Sequence, residues 1–167
     1  GTSSNGNSGQ ITLTTGNTEP TSGSHGRAGH ILQLVGTGNS GDGGMISLTA
    51  GETTSREKAG GKVVISGGLG SDNGSSNGGE GGDINLYGGR GAGGDDENDK
   101  GGAINRQAGV GDGGIGGSIS YRTGLGVATS SGSFTLVTAN SGVEGVSGKM
   151  VFSTGTTTVG NSGFMTL

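Results

Sequence analysis

A short phrase recurs ten times along this chain: Gly, any residue, a bulky apolar residue, any residue, usually a second bulky apolar residue, and often another Gly three residues later. It reads Gly9-Gln10-Ile11-Thr12-Leu13-Thr14-Thr15-Gly16 at its first occurrence and Gly44-Met45-Ile46-Ser47-Leu48-Thr49-Ala50-Gly51 at its third. The opening glycines are Gly9, Gly29, Gly44, Gly61, Gly82, Gly102, Gly117, Gly132, Gly148 and Gly163, at intervals of 20, 15, 17, 21, 20, 15, 15, 16 and 15 residues. A period in that range marks a stacked or arrayed architecture, in which no single repeat buries its own apolar face.

Within each phrase the apolar residues alternate with period two between glycines, the pattern of a short strand. The first apolar position holds Ile11, Ile31, Ile46, Val63, Ile84, Ile104, Ile119, Phe134, Met150 and Met165. The second holds Leu13, Gln33, Leu48, Ile65, Leu86, Arg106, Tyr121, Leu136, Phe152 and Leu167. Residues two apart share a face, so both positions are expected to point inward as a core ladder, with Gln33 and Arg106 breaking the pattern. The sequence therefore predicts an all-β fold: a flattened β-solenoid of about ten coils, each of about 15–21 residues, stacked at the ~4.8 Å strand spacing. A polyproline-type bundle is the competing ordered fold for a Gly-rich chain, but it wants Gly at every third position.

Composition narrows the functional classes. Gly accounts for 45 of 167 residues, against a usual share of about 7%. Nine Lys and Arg residues and a net charge of −4 argue against a nucleic-acid or anionic-membrane surface, which needs a basic patch. The absence of cysteine removes disulfides and thiolate metal sites, and no apolar run approaches the roughly 18 residues of a membrane span. The reading is a single repeat domain over residues 1–167. No polar capping repeat is visible, and Gly163-Phe164-Met165-Thr166-Leu167 stops just after its second apolar residue. A segment of a longer repeat protein, or a unit stacking end to end in a filament, is expected.

Chemistry-bearing residues are sparse. The cluster Asp95, Asp96, Glu97, Asp99 offers carboxylates to Ca²⁺, but it lacks EF-hand spacing, and a charge run in a Gly-rich insert is ordinarily a solvated loop. Gly78-Gly79-Glu80-Gly81-Gly82-Asp83 begins like the Ca²⁺-binding nonapeptide of β-rolls, then places Asn85 where an apolar residue belongs. Gly36-Thr37-Gly38-Asn39-Ser40-Gly41 lacks the Lys-Ser/Thr of a phosphate loop. His25 and His30 have no nucleophile and acid partners, and Asn73-Gly74-Ser75 is an isolated glycosylation sequon. No catalytic, cofactor or metal centre emerges, and the chain is read as a non-enzyme. Outward apolar residues Leu32, Leu34, Val64, Val137 and Val151 mark a candidate association surface. Other outward positions, such as Thr12/Thr14, Ser47/Thr49 and Asn85/Tyr87, do not form the regular Thr-x-Thr array of a flat ice-binding face.

The phrases Ser40-Gly41-Asp42-Gly43-Gly44-Met45-Ile46-Ser47-Leu48-Thr49-Ala50-Gly51-Glu52-Thr53-Thr54, Gly81-Gly82-Asp83-Ile84-Asn85-Leu86-Tyr87-Gly88-Gly89 and Ser147-Gly148-Lys149-Met150-Val151-Phe152-Ser153-Thr154-Gly155-Thr156 resemble the Gly-rich repeats of large secreted proteins of diatoms and related microalgae. The resemblance spans almost the whole chain, although Gln33, Arg106 and Tyr121 depart from the usual aliphatic second position. It implies an extracellular or cell-surface setting and no catalytic residues. The expected function is structural: a β-solenoid in a fibre or surface layer, associating end to end or laterally with copies of itself, with polysaccharide or other matrix components as further partners. The alternative is a surface-binding module presenting a flat repetitive face to ice, polysaccharide or mineral.

Overall fold

A computed structural model describes residues 8–18, 26–72, 74, 78–95 and 97–167. Its architecture corrects the β-solenoid expectation, because the described residues hold no helix and no β-strand and are coil throughout. The chain divides into two units, Gly1–Asn85 and Leu86–Leu167. Both are built from the same local device.

That device is a reversal of the chain in the linker between phrases, seen at five junctions. Bends lie at residues 55–57, 112–114, 127–129, 143–145 and 158–160, near the midpoints of their linkers. On either side of the bend the backbone runs back antiparallel to itself. The amide of an opening glycine donates to the carbonyl of the preceding phrase's closing glycine: Gly61 to Gly51 at 2.8 Å, Gly82 to Gly68 at 2.9 Å, Gly102 to Gly89 at 2.8 Å, Gly117 to Gly109 at 2.9 Å and Gly132 to Gly124 at 3.0 Å. Successive phrases therefore reverse direction. A solenoid would stack them in one direction.

Sequence accounts for the clasp. The residue just before the closing position is small or β-branched in all nine junctions: Thr15, Val35, Ala50, Gly67, Gly88, Ala108, Thr123, Thr138 and Thr154. The next opening glycine lies directly against it. A Cβ placed on Gly29, Gly61, Gly117, Gly132, Gly148 or Gly163 would sit 3.3–3.8 Å from the Cβ of Thr15, Ala50, Ala108, Thr123, Thr138 or Thr154, respectively. At Gly67 and Gly88 the approach is closer still, and an added methyl would strike the carbonyls of Gly82 and Gly102. Glycine at these two positions permits a backbone approach that no side chain allows.

The expected core is absent. No hydrophobic residue among the described ones is buried, and the ladder positions run from Met150 at 43% exposed to Ile11 at 90% and Leu167 at full exposure. The accessible surface is 16878 Å², whereas a compact chain of 15.9 kDa would expose about 7,400 Å². The physical reason lies in the repeat itself. Two large side chains cannot fill a coil of fifteen or more Gly-rich residues, and glycine loses the most backbone freedom on ordering. The residues sheltered best are small ones at the clasps, such as Ala50, Ala108 and Thr123.

A single exposed hydrogen bond contributes about 0.5–1.5 kcal/mol. The Gly102 amide should therefore exchange with solvent roughly two- to tenfold more slowly than its sequence alone dictates. Gly88→Ala should abolish that slowing, because its methyl meets the Gly102 carbonyl, whereas Gly89→Ala enters open space and should retain it. Amide exchange followed by NMR checks this, and equal protection in the two variants would contradict the clasp.

Candidate functional site

The phrases present two classes of apolar side chain. From Ile31 onward, the first-position residues are 43–65% exposed, while the outward residues Leu32, Leu34, Val64, Val137 and Val151 are 69–84% exposed. Neighbouring segments thus half-shelter one set and leave the other open. The five outward residues expected to mark an association surface are accessible, and the inward set is the less exposed of the two.

Three successive second- and first-position side chains show how that face is organised. The Arg106 guanidinium lies 5.6 Å from the Tyr121 ring centroid. Tyr121 in turn stands 6.2 Å from Phe134, with the ring planes tilted by 37°. Both separations fall within the attractive range for cation–π and aromatic pairs. Arg106 therefore lays its charge on the next segment's aromatic ring, and its place in an apolar register has a local explanation. The spacing of Arg106, Tyr121 and Phe134 in consecutive phrases was the available sequence signal.

Gln33, the other exception, lines an open groove of about 480 Å³ with Leu32, Leu34, Val35, Met45 and Ile46 among its neighbours. The groove runs between the second and third phrases. Its polar side chains are the Gln33 amide and the Ser47 hydroxyl. His30 is exposed, and His25 and Asn73 lie outside the described residues.

Three carboxylate oxygens of the acidic insert accept hydrogen bonds from within it. Asp95 Oδ1 accepts from the Glu97 amide at 2.9 Å, its Oδ2 accepts from Asn98 Nδ2 at 2.8 Å, and Asp99 Oδ2 accepts from the Asp95 amide at 2.8 Å. The Asp95 carbonyl also accepts from the Asp99 amide at 3.0 Å. Of the four residues singled out for Ca²⁺, Asp96 lies outside the described set. Among the described residues no group of three or more His, Cys, Asp or Glu side chains is placed to hold a metal. The stretches 36–41 and 78–83 serve the backbone. Gly41 takes a φ of +76° in its bend, a conformation that favours glycine, and Gly82 makes the clasp to Gly68.

No helix in the described residues is long and apolar enough to cross a membrane. No protein-family model matches the chain, and no curated protein or solved structure matches it either.

The Asn98 side-chain hydrogen bond, followed by the Glu97 backbone bond, holds the Asp95 carboxyl below its ordinary pKa. A lowered folded-state pKa means that the loop's contribution is present above the ordinary Asp range and is lost as pH falls through the depressed value. In an NMR titration the Glu97 amide should follow that depressed pKa, and Asn98→Ala should move the midpoint upward. An unchanged midpoint in Asn98→Ala would contradict the loop geometry.

Proposed function

We propose that this chain is a structural repeat element of an extracellular fibre or surface layer and that it works by associating with copies of itself. The observation that carries the reading is a regularly repeated apolar face in a chain with no buried hydrophobic residue among those described. Large apolar side chains left in water at regular intervals are a driving force for association. Polar linkers rich in Gly, Ser, Thr and Asn keep the rest of the surface hydrated.

The mechanism is cooperative ordering. Each clasp sets the spacing of two apolar segments, and apposition of chains removes those segments from water. The hydrogen-bonding groups that coil leaves to solvent become available for pairing between segments. With a net charge of only −4, electrostatic repulsion between copies is weak and readily screened by salt. The secreted setting is supported by the phrase resemblance.

Sedimentation velocity over a hundredfold concentration range, with negative-stain microscopy of the concentrated samples, tests the proposal. Concentration-dependent assemblies, strengthened by sulfate as expected for apolar burial, are the predicted result. A chain that sediments as a monomer at every concentration, with and without sulfate, would overturn it.

A further inference from the structure

We infer that the occupant of the half-sheltered apolar face of Leu86–Leu167 is the same face of a second copy. The inference rests on the association reading above and names the surface responsible.

The side chains of this unit separate by position. Ile119, Leu136 and Met150 are 51%, 55% and 43% exposed, whereas the adjacent outward residues Val137 and Val151 are 80% and 69% exposed. The first set is the less exposed of the two. Tyr121 and Phe134 lie ring by ring within it. Its one charged member, Arg106, rests over the Tyr121 ring, so the cation is already partnered by π density when water leaves. The carboxylates of the unit, including Asp95, Asp112 and Glu144, belong to the linkers and not to the apolar positions.

Area favours a partner of the same kind. Three aromatic and six aliphatic side chains of this unit stand 43–65% exposed at the apolar positions. They present roughly 700 Å² per copy, or about 1,400 Å² for a facing pair, from the usual side-chain areas. A stable interface buries about 1,200–2,000 Å². Symmetry points the same way. Because the chain reverses between phrases, a twofold rotation lays forward and backward segments over segments of both senses. Such an arrangement is compatible with an isologous pair, in which both copies use the same patch.

The chain contains no cysteine, so single cysteines report proximity cleanly. Ile119→Cys and Leu136→Cys probe the face, and Val137→Cys and Val151→Cys probe the outward side, each in the full chain and treated with a short bis-maleimide. The face variants should give at least about fivefold more covalent dimer than the outward variants, and 8 M-scale urea (roughly the limit at which apolar association is lost) should erase the difference. Sedimentation of the cysteine-free chain under the same conditions separates the two ideas. If the chain associates and the outward variants cross-link as well or better, the face assignment falls and the association reading stands. If the chain stays monomeric at every concentration, both fall. Association with a foreign protein alone would appear as this second result.

Discussion

A hydrogen bond between two glycines governs the rest of this structure. The amide of each opening glycine from Gly61 to Gly132 finds the carbonyl of the preceding closing glycine. An added Cβ at Gly67 or Gly88 would strike the next opening glycine's carbonyl, whereas at the closing glycines Gly51, Gly68, Gly89, Gly109 and Gly124 it would enter open space. The demand for close approach therefore explains why the residue before the closing position is Ala, Thr, Val or Gly. It also explains the length of the shortest intervals, since eight residues separate Gly109 from Gly117 and Gly124 from Gly132, enough to pass through one bend and return.

A clasp of this kind sets direction and spacing, but it buries almost nothing. The apolar residues between clasps are extended and half-sheltered, and no second layer covers them. The hydrophobic contribution that normally offsets the conformational entropy of folding is therefore not realised within a described segment. It remains available to another molecule. Such a chain presents a periodic apolar surface, and under the proposed association that surface is what would leave water. The linkers, with their Gly, Ser, Asn and Asp, limit that association to the faces the phrases present.

The repeat and its period are legible in the sequence, and so is the alternation that separates Ile119 and Tyr121 from Ser120 and Arg122. Legibility stops at direction. Period-two alternation says which residues share a face and nothing about whether the next phrase runs on in the same sense or turns back, so a parallel stack and an antiparallel series begin from one pattern. The deciding signal was the small residue paired with the next opening glycine, as in Ala50 with Gly61 or Ala108 with Gly117. That pairing is mirrored about the linker, not translated by one repeat. The ladder from Ile11 to Leu167 was expected to be a core because alternation implies a covered face, but alternation does not say what covers it. Arg106 was an anomaly in sequence and becomes intelligible through Tyr121, a contact across phrases that depends on how they are juxtaposed. The acidic insert was read as a solvated loop, and the hydrogen bonds of Asp95 and Asp99 within it depend on loop geometry that composition does not reveal.

The most direct test of the central claim, that this chain lacks a core of its own and gains its order by association, is the urea unfolding midpoint at two protein concentrations a hundredfold apart. The account predicts a midpoint that rises with concentration, because the ordered state is stabilised by mass action, and a dilute sample without a cooperative transition. A sharp transition at the same midpoint in both samples would show a self-sufficient folded monomer and contradict it.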